Sequence, residues 1–222
     1  MSAVPPGAAS TGGGSSAYPP PALPATFALE VFTLPRARLH RVYWDGQDPL
    51  APARKATNRY DCPASIPETN RYGVLYLGYE FETCWLEAVV RDSVVRPAGN
   101  PITVPRTQMQ PRWACEVHVA SQLTLAKFAD ESLLDLGDSA SNIMGDRYLR
   151  THAWSRLLHA HSNPAVDGVH YRSRFKSNEF CIALFDRGIS KGNLSVSNNR
   201  SIDPETSSEM QSLCRRFNVL PL

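Results

Sequence analysis

The chain has 222 residues, 42% apolar and 20% charged, a balance that suits one soluble globular domain plus a spare segment. Its 23 Lys and Arg against 21 Asp and Glu leave a net charge of +2, which argues against a protein devoted to coating nucleic acid. No apolar run reaches the roughly 18 residues that a spanning helix needs, so no membrane contact is expected.

Residues 1–26 hold six prolines, four glycines and no charged side chain. Such a segment cannot bury enough apolar surface to offset its ordering entropy, and it reads as a disordered tail. It lacks the basic start and continuous apolar stretch of a secretory signal. A single folded domain is expected over residues 27–222. The five cysteines, Cys62, Cys84, Cys115, Cys181 and Cys214, are widely spaced and never form CxxC. That spacing fits neither a disulfide framework nor a zinc site, and a reducing cytoplasm is the expected compartment.

In chain order, FALEVFTL is a short helix or strand, and ARLHRVYW a strand. Residues 44–73 are rich in turn formers and read as a long loop. VLYLGY, residues 74–79, is a compact apolar strand. FETCWLEAVVRD, residues 81–92, switches to helical spacing, with Phe81, Cys84, Trp85, Ala88 and Val89 on one face. A proline-rich stretch follows, then two strands, ACEVHVA and LTLAKF, and a short helix or turn at ESLLDL. Residues 145–161 form the longest helix candidate, ending in His159 and His161 as a solvated terminus that suits the helix dipole. VDGVHYRSRF and NEFCIALFD are two further strands. The last helix starts with Asp203 as N-cap and Pro204 in the first turn, and its apolar stripe is Met210, Leu213, Cys214 and Phe217. Strands and helices mix without βαβ alternation, so the expected class is α+β, a central β core with flanking helices.

Phosphate-loop, dinucleotide-fingerprint and nucleophile-elbow motifs are all missing, and no second histidine pair has zinc spacing, so no metal is expected. Glu87 is more telling. Leu86, Ala88, Val89 and Val90 surround it on a helix that is apolar over most of its circumference. A carboxylate there lies at the edge of the buried face or faces a cleft. Arg41, inside the apolar strand LHRVYW, needs an anionic partner or an exposed strand face. Arg59, followed by Tyr60 in the turn-rich NRYDCP, can stack or grip phosphate. Ser173 lies among aromatics in GVHYRSRF, on an alternating face with Tyr171 and Phe175.

An arginine on an early strand, RYDCP, GVLYLGYE leading into a helix with a glutamate, DGVHYRSR and then ALFD together resemble the RES-domain family over roughly residues 38–188. The family takes its name from Arg, Glu and Ser positions. The resemblance implies an ADP-ribosyltransferase-like mixed fold and breakage of the nicotinamide–ribose bond of NAD by a bacterial toxin. NAD is then substrate rather than cofactor. The acceptor is water, inorganic phosphate or, in the alternative reading of a transferase, a protein side chain. A non-catalytic binding module is the third reading.

Carried over, Arg41 and Arg59 match the family's arginines, Tyr76 the tyrosine of its LYLG strand, Glu87 its helix glutamate and Ser173 its serine. Arg41, Glu87 and Ser173 are then the catalytic set, and Arg41, Arg59, Tyr60, Tyr76 and Ser173 hold NAD. Arg71, in the second NRY, is the alternative to Arg59. The implied partner is a helix-turn-helix antitoxin encoded alongside. The uncharged tail lies outside the family pattern and raises another route, delivery into a rival cell with an immunity protein.

Overall fold

The computed structural model of the chain describes residues 21–24, 26–93, 96–145 and 148–222. Most of the tail expected over residues 1–26 therefore lies outside the described residues. Leu23 and Phe27, within the described part, pack against the core.

The described residues form ten strands: β1 Val31–Leu34, β2 Ala37–Trp44, β3 Val74–Gly78, β4 Ile102–Val104, β5 Arg112–Val119, β6 Leu123–Phe128, β7 Gly168–Arg172, β8 Phe180–Phe185, β9 Leu194–Ser201 and β10 Val219–Pro221. Among the same described residues seven α-helices accompany them: α1 Phe81–Trp85, α2 Arg106–Met109, α3 Glu131–Asp135, α4 Ala140–Met144, α5 Leu149–Ala160, α6 Asp186–Gly192 and α7 Ser208–Arg216. Eight strands form one sheet in the order β1-β6-β7-β8-β3-β2-β5-β9, and β10 pairs in parallel with β4 in a small second sheet. This is the expected α+β class.

Alternation along the strands gives the sheet two apolar faces. Leu39 and Tyr43 of β2, Leu75 and Leu77 of β3, Cys115 and Val117 of β5, Leu125 of β6 and Ile182 and Leu184 of β8 share one core. That core draws on strands from both ends of the order, so the sheet curls around it. The other face carries two separate layers. Over β6, β7 and β8, α5 buries Trp154 and Leu158 beside Tyr171, Phe128 and Phe185. Over β2 and β5, α1 and α7 bury Trp85, Met210 and Cys214 with Ile102 and Val104 of β4.

The sheet is weakest between β3 and β2. Their one registered pair is His40 opposite Gly78. The chain leaves β3 there and turns into α1, and the Cys84 Sγ donates to the His40 carbonyl at 3.1 Å. Gly78 is required at this crossing, because a Cβ would lie 2.7 Å from that sulfur.

Several expectations are corrected. Asp203 does not cap the last helix. It closes a turn, accepting from the Glu205 and Ser207 amides, and Ser207 caps α7 by accepting from Met210 N. The terminus of α5 is not solvated: His161 is 8% exposed, and His159 stacks on Tyr72 with ring centroids 4.0 Å apart. The strand expected to run through Ser173 ends at Arg172. β4 lies in the stretch read as proline-rich, and β9, β10 and α6 are elements that the sequence reading did not include. All five cysteines are free and buried.

Candidate active site

The helix that opens at Phe81 does not stay α-helical. After Trp85 it widens into one π-turn, Leu86–Val90, and tightens into a short 3₁₀ segment at Arg91–Ser93. Leu86, Val89 and Val90 remain buried in the layer beneath. The wider turn carries Glu87 at its start, and single π-turns of this kind frequently accompany functional sites.

Glu87 Oε1 accepts two hydrogen bonds, from Ser173 Oγ at 2.8 Å and from the Arg174 amide at 2.9 Å. Among the described residues no group donates to Oε2. Ser173 is fully buried. Its Oγ also accepts from the Phe175 and Lys176 amides, so one hydroxyl both starts the turn after β7 and fixes the carboxylate. Lys176 returns to α1 and pairs with Glu82 at 2.8 Å. The Glu87 carboxylate is thus held by the joint between the two outer layers of the sheet.

Arg59 stands beside it and is 5% exposed. Its guanidinium lies 5.5 Å from the Tyr171 ring centroid and donates to the Arg172 carbonyl at 3.4 Å. Its buried Nε has no partner. Burial by itself would lower the Arg59 pKa, but Tyr60, Tyr171, Glu87 and Tyr148 more than offset it and hold the pKa above the usual value. A recess of about 110 Å³ opens beside Arg59, walled by Phe128, Leu133, Ile143, Met144 and Tyr171.

Tyr76 fixes the backbone next to Arg59. Its hydroxyl donates to Asp61 Oδ1 at 2.9 Å and accepts from the Tyr60 amide at 2.9 Å. Asp61, fully buried, also accepts from the Thr57 and Asn58 amides. Burial raises the Asp61 pKa against these hydrogen bonds, and burial with Asp61 as neighbour raises that of Tyr76. Tyr60 is enclosed, its carbonyl accepting from Ser155 Oγ at 2.6 Å and its ring tilted against Tyr171.

The structure therefore brings Glu87, Ser173, Arg59, Tyr60 and Tyr76 together. It does not join Arg41 to them by a hydrogen bond or an ion pair among the described residues. Arg41 shares the face of Leu39 and Tyr43, whereas Tyr76 packs with the opposite layer. The Arg41 guanidinium donates to the carbonyls of Pro49 and Ala51, and burial lowers its pKa to about 10. Arg71 lies at the Val74 end of β3 and grips the Ile66 carbonyl at 2.9 Å. Sequence reasoning passed over Asp61, although it stands inside the NRYDCP motif; a lone aspartate in a turn-rich loop gives no sign that it will be buried under a tyrosine two elements away.

This curled mixed sheet, with a glutamate and an arginine at the end of its central strands, defines an α+β protein with a carboxylate–guanidinium site. The RES domain family model matches residues 33–202, and the chain belongs to that family. A chain of the crystal structure of the M. tuberculosis MbcT–MbcA toxin–antitoxin complex superposes with a TM-score of 0.56. The match covers 80% of this chain and 90% of that one at 14% identity, a likeness of fold. No curated protein matches the chain.

Proposed function

We propose that the protein is a toxin that cleaves the nicotinamide–ribose bond of NAD and is restrained by an antitoxin partner. The observation that carries this reading is Glu87: a carboxylate oriented through one oxygen by Ser173 and Arg174, beside the buried, incompletely paired Arg59.

The chemistry asks for such a site. When the bond between the ribose anomeric carbon and the nicotinamide nitrogen breaks, its electron pair leaves with the ring. Nicotinamide, already cationic, departs neutral, so no general acid is needed. Positive charge builds on the ribose instead. A fixed carboxylate stabilises that charge and orients the incoming nucleophile. Arg59 offers planar donors to a phosphate oxygen of the dinucleotide. The recess beside it admits one ring rather than a whole dinucleotide. Tyr76 and Asp61 keep Arg59 in place before substrate arrives. Arg41, on the other face, serves the same reaction only if the segment around Pro49 and Ala51 releases it.

The test incubates the full chain with NAD, with and without inorganic phosphate, and identifies products by mass spectrometry. Nicotinamide with ADP-ribose, or with its phosphorylated form when phosphate is present, is expected. Intact NAD in both conditions removes this reading; nicotinamide release only with a modified protein turns it into the transferase. Glu87→Gln keeps the shape and removes the charge. It is expected to lower turnover by about two decades or more while NAD still binds. Unchanged turnover in that variant would unseat Glu87. Co-expression with a neighbouring gene product should relieve growth arrest if an antitoxin restrains the chain.

A further inference from the structure

A second cavity, of about 460 Å³, opens among Arg54, Arg71, Arg156, Tyr72, His159 and Asp186. Its volume is that of a small-molecule site. It lies at the Val74 end of β3, whereas Glu87 lies past the Gly78 end. The strand between them spans about 15 Å at roughly 3.3 Å per residue. Nothing in the reaction proposed above uses it.

Three guanidinium groups meet a single carboxylate here. Arg71 donates from Nε to the Ile66 carbonyl at 2.9 Å and from Nη2 to the Ala64 carbonyl at 3.2 Å. Arg54 donates from Nη1 to the Arg71 carbonyl and from Nη2 to Asp186 at 3.4 Å. These bonds use part of each guanidinium and fix its direction, leaving further N–H donors on each. Arg156, on α5, makes no hydrogen bond or ion pair among the described residues. His159, one turn along, lies flat on Tyr72 with its Nε2 3.8 Å from Asp186 Oδ1. The one carboxylate therefore already serves Arg54 and faces His159. The cationic surplus at the opening suits a doubly charged anion, and guanidiniums held in fixed directions bind phosphate oxygens with little further loss of freedom.

We infer that this cavity binds a phosphate-bearing small molecule at a site separate from the Glu87 cluster. Inorganic pyrophosphate and a nucleoside diphosphate share that chemistry.

The experiment is isothermal titration calorimetry of the full chain in phosphate-free buffer, with pyrophosphate in one series and ADP in the other. Saturable binding of at least one is expected, weakening as salt rises from about 50 to 300 mM. Binding of both assigns recognition to the phosphates alone. Binding of ADP only assigns it to a nucleotide, and of pyrophosphate only to a compact anion.

Arg156→Glu is expected to weaken binding at least about tenfold, since it replaces a charge-assisted donor with repulsion. Arg54→Ser should weaken it as well, while Arg59→Ala leaves it intact. No binding by the wild-type chain overturns the proposal. So does undiminished binding in both Arg156→Glu and Arg54→Ser, or binding lost in Arg59→Ala, which would place the anion beside Glu87. Nicotinamide release by Arg156→Glu should match wild type. The heats are read without turnover, so failure of the NAD reading and failure of this one are told apart.

Discussion

Arg59 holds its charge in an interior that resists charge, and its fork of donors is incompletely used. A lysine in its place keeps the charge but not the fork, and cannot reach both oxygens of one phosphate group. Arg59→Lys is expected to weaken NAD binding about tenfold or more, with the fold intact. Equilibrium titration of NAD against the inactive Glu87→Gln chain, with and without the second change, would measure it. An unchanged affinity would hand the phosphate role to Arg41 or Arg71. Ser173 and Tyr76 show how few atoms such a site needs: one hydroxyl orients Glu87, and the other carries the turn that holds Arg59.

Between elements, the joints are specific. Phe32 of β1, His170 of β7 and Phe180 of β8 form one stack, with centroids 4.2 and 4.4 Å from the central ring. His170 is 6% exposed and its Nδ1 has no partner. Burial, with Arg172 adding to it, lowers its pKa to about 4 from a usual 6.5. Folded chain therefore binds fewer protons than unfolded chain between those values. Stability is full above about pH 6.5 and falls as the pH drops toward 4, by about 3 kcal/mol in all. His170→Phe keeps the stack and removes the titration. Urea unfolding at stepped pH should give that variant a shallower acid limb, and identical limbs would place the effect elsewhere.

The crossing of β3 and α1 is tighter still. Gly78→Ala sets a methyl 2.7 Å from Cys84 Sγ and is expected to cost about 1–3 kcal/mol. Because α1 leads into the turn bearing Glu87, NAD turnover should fall with it. Adding Cys84→Ala should recover part of both losses, a coupling that a double-mutant cycle reads directly.

At the scale of the whole molecule, the site lies where a curled sheet nearly parts and two outer layers meet. The layer behind Glu87 is not built from the matched family segment alone. Met210, Cys214 and Val219, beyond residue 202, pack with Trp85, Val89 and Val90. β10 seals this layer through the Leu222 amide on the Val104 carbonyl at 3.0 Å and the Ile102 amide on the Asn218 carbonyl at 2.8 Å. Burying three such side chains is worth about 5 kcal/mol, a large share of the roughly 5–15 kcal/mol that holds a domain together. Deleting residues 203–222 is therefore expected to lower the melting temperature and abolish NAD turnover, even though no hydrogen bond or ion pair joins a deleted residue to Glu87 among the described residues. Circular dichroism melts and nicotinamide release would show this; wild-type turnover in the shortened chain would mean that the sheet alone positions the carboxylate.

The sequence by itself determined what local pattern and residue chemistry can determine. The apolar run of β3, the helical spacing after Phe81 and the α+β class were legible because periodicity reports the buried face directly. Glu87 was legible as an anomaly, a carboxylate on a mostly apolar helix, and the order of short motifs pointed to the RES domain family. Only the tertiary structure decided that Ser173 falls just past its strand and turns its hydroxyl onto Glu87, that Asp61 and Tyr76 fix the backbone around Arg59, and that Arg41 faces the other way. The polar strand β9 and the three-residue seal of β4 with β10 were likewise invisible, because their pairing partners supply what their own side chains do not. Each of these contacts joins residues far apart in the chain, and sequence pattern carries no record of which distant hydrogen-bond donor a buried carboxylate will find.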